Sequence, residues 1–365
     1  RGCRGLPGRD RMGIEKFVKV GSAKKAVHGG DVWSRDVELD FSSNVNPLGP
    51  PERVKGALSA GIGKIQHYPD INAVELQAAI SEYAGVRPES VTLGNGSTEL
   101  IKNFCEVFIR GGNAVIPVPT FSEYEVHSAL YGAELHRVPL EPEKIIEAID
   151  EDTGAVFLCN PNNPTGSLFT ERETLAVVEA ALDASAPVLL DEAYIEFSDG
   201  ESFSSRVCEF ENLFVLRSLT KFFSVAGLRI GYGVANERLI ACMERVRVPW
   251  NVNTLAQVAG IAALEDNAFI ETSKDFIKTE REFLFRELSK FLKVERPHAN
   301  FFLIDLEGKI KAPELKERLL EKGMLIRDCS TFTGLNDNFI RVCIRKREEN
   351  VRLIEGLKLE GLDVS

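Results

Sequence analysis

Long apolar runs are missing from this chain. None approaches the ~18 residues of a membrane span, so no transmembrane helix is expected. Paired cysteines are missing too: seven cysteines are scattered through 365 residues without a Cys-x-x-Cys spacing. That pattern excludes a zinc ribbon and a disulfide scaffold and fits reduced thiols in a cytoplasm. Positive charge is in deficit, with 44 Lys and Arg against 55 Asp and Glu and a net charge of −11. No broad nucleic-acid-binding face is expected from such a balance. Neither Gly-Lys-Ser/Thr nor Gly-x-Gly-x-x-Gly occurs, so a P-loop and a dinucleotide fold both lack their fingerprints. There is no internal repeat and no low-complexity segment. What remains is an ordinary globular composition, 44% hydrophobic, on a chain long enough for two packed domains.

Residues 1–11 carry four arginines and no apolar periodicity. They are expected to form a disordered leader, with Met12 as the natural start. From about residue 40 the pattern becomes regular. Helical spacing covers Glu52 to Ile62 and Asn72 to Tyr83. Apolar runs at Ser90–Leu93, Ala114–Val118, Glu134–Val138, Ala155–Cys159, Val188–Asp191, Leu213–Leu216 and Arg229–Val234 read as strands, and several alternate with helical segments. The helix from Thr170 to Leu182 opens with Thr170 and Glu173 spaced as a capping box. This rhythm predicts an α/β fold, a mostly parallel sheet flanked by helices. After Trp250 the character changes to long helices with short strands between them, a smaller α+β domain. The boundaries expected are 40–250 for the large domain and 251–365 for the small one, with 12–39 packing against the latter.

Chemistry-bearing residues fall just past the predicted strand ends, where ligands of open α/β sheets collect. Ser218-Leu219-Thr220-Lys221 leaves one strand, and Gly227-Leu228-Arg229-Ile230-Gly231 enters the next. A loop lysine is ordinarily solvated. Beside Phe222 and Phe223, however, a lysine amine can lose solvation, drop its pKa and attack carbonyls. Arg229 supplies a planar fork suited to phosphate. Gly96-Ser97-Thr98 opens a helix after a strand, a place that favours anions. Asp191 ends a buried strand, with Tyr194 three residues on. Asn163 closes the rigid run Asn160-Pro161-Asn162-Asn163-Pro164-Thr165-Gly166. Phe121 follows Pro119-Thr120. Taken singly, each of these has a plain structural reading as a cap, a turn or a core residue.

Taken in order, the set resembles fold-type I pyridoxal-phosphate (PLP) enzymes, the aspartate aminotransferase superfamily, over nearly the whole chain from His28. The resemblance implies PLP as cofactor, with Lys221 as the catalytic lysine that holds it. It implies that Gly96, Ser97, Thr98, Ser218 and Arg229 receive the cofactor phosphate. It places Phe121 on the ring, Asn163 and Tyr194 on the phenolic oxygen, and Asp191 on the pyridine nitrogen. Such enzymes resemble one another in building composite sites across a homodimer, and Tyr68 in His67-Tyr68-Pro69-Asp70 matches the tyrosine that reaches a neighbour's phosphate. Arg341 in Phe339-Ile340-Arg341-Val342 resembles the residue that binds a substrate carboxylate.

Two subfamilies compete. Trp250-Asn251-Val252-Asn253 is similar to histidinol-phosphate aminotransferases. His28-Gly29-Gly30, the run from Asp40 to Gly49, Leu325 to Cys329 and Arg341 to Arg345 resemble threonine-phosphate decarboxylase of cobalamin synthesis. Val45 and Leu48 depart from the aminotransferase pattern. The decarboxylase resemblance implies a small phosphorylated amino-acid substrate, held by His28, Asn46, Arg327 and Arg341. It implies loss of CO₂ from L-threonine O-3-phosphate to give (R)-1-aminopropan-2-ol O-phosphate.

Overall fold

The structure, a computed structural model, describes residues 25–109 and 111–362. The leader expected at 1–11 and the stretch 12–24 lie outside the described residues. Thirteen strands are assigned among the described residues. Seven of them form the central sheet: β2 (Val91–Gly94), β3 (Asn113–Val118), β4 (Glu134–Pro139), β5 (Thr153–Cys159), β6 (Val188–Asp191), β7 (Leu213–Ser218) and β8 (Gly231–Ala235). Their order is β2-β8-β7-β6-β5-β3-β4. Neighbours from β7 through β4 pair in parallel. β8 runs against both β7 and β2, so the sheet is mixed at this one strand. A parallel partner needs a long crossover, and the chain between β7 and β8 holds only the one-turn helix Leu219–Phe222 and a short turn.

The central strands are apolar on both faces because both are covered. Along β5, Val156 and Leu158 join one core while Ala155, Phe157 and Cys159 join the other. Leu213 and Val215 of β7 split from Phe214 and Leu216 in the same way. Each fully buried side chain of this size contributes roughly 1.5–3 kcal/mol. Gly233 on β8 leaves room for the Phe214 ring, which a Cβ there would meet at 2.0 Å. The helix Glu171–Asp183 carries the expected capping box between Thr170 and Glu173.

The other six strands are short. β10 (Phe301–Asp305) pairs with β9 (Lys293–Val294) and β13 (Phe339–Cys343), and β13 pairs with β12 (Arg327–Asp328), all antiparallel. β1 (Leu39–Asp40) pairs in parallel with β11 (Met324–Leu325). The single strand predicted near Leu325–Arg327 is therefore two. The chain changes partner at Ile326, from β1 to β13, and only the second piece points Arg327 at Arg341. Three helices had no counterpart in the sequence reading, Pro142–Glu147, Glu237–Glu244 and the single turn Leu219–Phe222. The second has a clear start signal, Asn236 accepting from the Leu239 amide at 3.0 Å, but spans only two turns. Among the described residues no helix is long and apolar enough to cross a membrane, and Cys105, Cys159, Cys208, Cys242, Cys329 and Cys343 are free thiols.

Candidate active site

The carboxyl ends of β5, β6 and β7 open into a cleft of about 250 Å³, closed from the other side by β12, β13 and residues 27–29. β6 delivers Asp191, which is only 4% exposed. Its Oδ2 accepts from the Tyr124 hydroxyl at 2.7 Å and its Oδ1 from the Ala193 amide at 2.9 Å. Burial drives the Asp191 pKa up to about 6, against the pull of those two donors. β7 delivers Ser218, whose hydroxyl bonds Thr220 at 2.7 Å, and then Lys221. Among the described residues no hydrogen bond or ion pair to the Lys221 amine is found. Burial first, then the positive fields of Arg341 and Arg229, lower its pKa to about 8. A lysine in that range holds a useful fraction of neutral, nucleophilic amine near neutral pH.

Opposite the lysine lies a place for an anion. Gly96 caps the helix Ser97–Phe108, so the first amides of that helix are free to point into the cleft. Gly96 sits at φ +78°, and a Cβ there would meet the Arg229 guanidinium at 2.3 Å. Gly231 likewise passes Ser97 N with no space for a side chain, at 2.6 Å. Two glycines thus let a helix start and an arginine converge on one spot, with Ser97, Thr98 and Ser218 around it.

The facing wall carries two more cations. Arg327 and Arg341 are register partners on β12 and β13, each 6% exposed. Arg341 donates to the Asn163 side-chain oxygen and, at 2.7 Å, to the Ser42 carbonyl, while its Nε has no partner. Arg327 donates to the Val27 carbonyl at 2.7 Å and to the Thr331 hydroxyl at 2.8 Å. Burial and the neighbouring Arg341 lower its pKa. Neither arginine has a carboxylate within ion-pair distance among the described residues. Two adjacent, nearly buried guanidinium groups without a counter-anion are costly, and an anionic ligand is what would relieve them. His28 lines the same cleft, its Nε2 donating to Glu123 at 2.7 Å and its ring 5.9 Å from Phe121. Gly29 allows the approach, since a Cβ there would meet the Ser42 carbonyl at 2.4 Å.

Of the residues singled out from sequence, Ser97, Thr98, Phe121, Asn163, Asp191, Tyr194, Ser218, Lys221, Arg229, His28, Arg327 and Arg341 all line this cleft, with Gly96 directly behind it. Asn46 does not. Its amide nitrogen donates to the Phe222 carbonyl at 2.8 Å and to Ser273 at 2.9 Å, and its oxygen accepts from the Leu48 amide at 3.1 Å. That placement corrects the expectation of a substrate contact: Asn46 ties the loop after β1 to the segment behind Lys221. Its neighbour Asn44 takes the cleft position, donating to the Tyr194 hydroxyl at 3.1 Å with its own oxygen unpartnered. Tyr68 also lies outside the cleft, 79% exposed and stacked on Trp250 with centroids 4.6 Å apart. Sequence reasoning passed over Asn44, Thr220 and Tyr124. The last had a signal, one turn beyond Phe121 at the start of the helix Glu123–Leu130.

The aminotransferase class I and II family matches residues 36–357. The chain belongs to that family. It is 35% identical over 356 residues to a histidinol-phosphate aminotransferase of Methanothermobacter thermautotrophicus, covering 94% of each chain. It is 38% identical over 345 residues to a protein of Caldanaerobacter subterraneus subsp. tengcongensis provisionally named threonine-phosphate decarboxylase, covering 91% of this chain and 93% of that one. The solved structure of the histidinol-phosphate aminotransferase from Clostridium acetobutylicum superimposes with a TM-score of 0.83 at 35% identity, over 88% of this chain and 99% of that one. Names among similar proteins thus divide between a transferase and a lyase, with the transferase the more frequent. As in the rest of this aminotransferase family, the cofactor is pyridoxal 5′-phosphate. The cleft fits it on its own terms. A lysine with a lowered pKa, a helix start on which an arginine converges and a buried carboxylate without a cation share one cleft, which Phe121 also lines.

Proposed function

We propose that this enzyme removes CO₂ from L-threonine O-3-phosphate and releases (R)-1-aminopropan-2-ol O-phosphate, the linker of the cobalamin nucleotide loop, in the cytoplasm. The observation that carries the reading is the side-by-side pair Arg327 and Arg341, buried and without a carboxylate, in a cleft that His28 also lines. A phosphate dianion is the ligand that two guanidinium forks and an imidazole suit best.

When bound, pyridoxal phosphate supplies an electron sink for the pair left on Cα as CO₂ departs. Lys221 is the nucleophile that holds the cofactor and the group that carries a proton to Cα afterwards. Ser97, Thr98, Ser218, Arg229 and the amides behind Gly96 anchor the cofactor phosphate. Asp191 would meet the ring nitrogen, Tyr194 and Asn163 the phenolic oxygen, and Phe121 would cover the ring. Asn163 accepts from Arg341 through its oxygen, which leaves its amide nitrogen to donate. With Arg327, Arg341 and His28 on the substrate phosphate, the carboxylate is not clamped. A carboxylate left free in this way would be the group able to leave as CO₂, whereas one clamped by an arginine would be retained. Where the enzyme puts one charge then selects the reaction, a case of differential transition-state stabilisation.

The second reading is histidinol-phosphate aminotransferase, favoured by the relatives' names and by Trp250 to Asn253. One pair of assays separates them. Threonine phosphate alone, with no keto acid, should release CO₂. Histidinol phosphate with 2-oxoglutarate should give no glutamate; glutamate in that mixture with no CO₂ in the first selects the transferase.

The same reading includes a homodimer. Ile62, Ile65, Tyr68, Ile71, Val74 and Trp250 are all exposed apolar residues close together in sequence or contact, a face suited to a second copy. Tyr68 would complete the neighbour's phosphate cradle. Mixed dimers of Lys221→Ala and Tyr68→Phe chains should regain one intact site in two, and an active monomer on sedimentation would refute the arrangement.

A further inference from the structure

Tyr124 lies at the root of the cleft and no role in the reaction has so far been given to it. Its ring is fully buried. It stacks on Phe157 with centroids 5.3 Å apart and an interplanar angle of 21°. It meets Phe121 edge-on at 5.7 Å and 80°. Clamped on these sides, the hydroxyl donates to Asp191 Oδ2 at 2.7 Å. The carboxylate has one other donor among the described residues, the Ala193 amide on Oδ1, and no cation within ion-pair distance. Burial works against its ionised form, and Tyr124 is the largest influence holding that form in place. Tyr124 itself is pushed far above the ordinary tyrosine range, by burial first and the Asp191 charge second. Its proton therefore stays on the oxygen, and the hydroxyl can only donate to the carboxylate.

We propose that the Tyr124 hydroxyl is the positioning group that keeps Asp191 ionised and turned into the cleft, so that the cofactor's ring nitrogen rather than the aspartate carries the proton. A carboxylate has about four acceptor sites. Tyr124 and Ala193 take one on each oxygen and leave the cleft-facing sites for the ring. Without the hydroxyl, desolvation dominates and the shared proton moves from the ring to Asp191. The electron sink then weakens although no atom that touches the substrate has changed. Because Tyr124 also abuts Phe121, one helix start sets both the face and the nitrogen edge of the ring. This inference rests on the proposed contact between Asp191 and the ring nitrogen, and the test separates the two.

Wild-type and Tyr124→Phe holoenzymes should be loaded with cofactor labelled with ¹⁵N in the ring, and the nitrogen resonance followed against pH. In the wild type a pyridinium signal is expected through neutral pH; in Tyr124→Phe it should move toward neutral pyridine. The same apoproteins should also be titrated with pyridoxal phosphate and with its isostere bearing C–H in place of the ring nitrogen. Tyr124→Phe should weaken the natural cofactor by about tenfold, the worth of one hydrogen bond to a charged group, and leave the isostere unchanged. Equal weakening of both ligands, or an unchanged nitrogen signal, overturns the role of Tyr124. A neutral nitrogen in the wild type overturns the Asp191 contact beneath it. Should Tyr124→Phe fail to fold, the comparison moves to an Asp191→Asn background, where no charge awaits the hydroxyl. There Tyr124→Phe should change neither readout, and any further loss of preference for the natural cofactor refutes the proposal.

Discussion

The two walls of the cleft are built on different principles. On the sheet side, Asp191, Ser218 and Lys221 stand at or just past the ends of parallel strands buried on both faces, and all three line the cleft. On the other side, Arg327 and Arg341 rest on the Val27 and Ser42 carbonyls, contacts that span 300 and 299 residues of sequence. Side chains of the sheet wall are held by neighbours within that wall, Asp191 by Tyr124 and the Ala193 amide and Ser218 by Thr220. The arginine wall holds its cations on uncharged backbone and side-chain oxygens, partners that an incoming anion can replace. Cofactor chemistry needs fixed geometry, whereas substrate recognition gains from contacts that exchange on binding. Substitutions on the two walls should therefore fail in different ways.

The largest effect belongs to the sheet wall. Lys221→Ala should cut turnover by about 10³-fold or more, since it removes both nucleophile and proton carrier. Borohydride reduction of the wild type should leave the cofactor on the peptide containing Lys221, and recovery on any other lysine contradicts the assignment. A smaller but still marked loss is expected from Gly96→Ala, which forces a Cβ onto the Arg229 guanidinium at a positive φ. Cofactor affinity, measured by dialysis and titration, should fall about 10- to 100-fold, the worth of one or two charge-assisted hydrogen bonds. An unchanged affinity would mean that the cradle lies elsewhere.

Asp191→Asn sharpens the contrast by stabilising what it disables. In the apoprotein the Asp191 pKa is raised to about 6 from 3.8. Its favourable contribution is thus present at low pH and lost as pH rises through about 6, where the folded state must hold a buried charge. Removing that charge should raise the melting temperature of the apoprotein by a few degrees at pH 8, with the gain roughly halved at pH 5 and gone only below the unfolded-state pKa of 3.8. The Tyr124 hydroxyl can turn to accept from the new amide. A drop in melting temperature at pH 8 would show that the carboxylate is stabilising rather than strained. The mildest expectation concerns Lys221 in the apoprotein. Amine-directed labelling at this position should be half-maximal near pH 8 rather than near ~10.4, because the protonated form below that pH is unreactive.

Legibility in the sequence followed the same division. The sheet wall was readable because a buried parallel strand is a continuous apolar run and its first polar residue marks the strand end. Asp191 and the central strands are legible that way, whereas Ser218 and Lys221 lie beyond Arg217, the first polar residue after Leu216, and are marked by the resemblance of Ser218-Leu219-Thr220-Lys221 to a family lysine segment. The reversal of β8 is not legible, since a strand's direction leaves no mark in its own composition. Asn44 and Asn46 differ by two residues in a loop, and only the fold decides which of them turns to the cleft. Beyond its place one turn after Phe121, Tyr124 carries no local mark of a site because it is core, apart from one oxygen. The pairing of Arg327 with Arg341 depends on a change of strand partner at Ile326 that no local pattern announces.

The central claim is that the arginine wall grips a phosphate. It is tested by binding L-threonine O-3-phosphate and unphosphorylated L-threonine to the wild type and to Arg327→Ala. The wild type should prefer the phosphate ester strongly. Arg327→Ala should lose about 2–5 kcal/mol of that preference, the cost of removing one partner from a buried charged pair, while its affinity for threonine stays the same. If Arg327→Ala keeps the wild-type preference, or weakens both ligands alike, the phosphate sits elsewhere and the account of the reaction built on it is wrong.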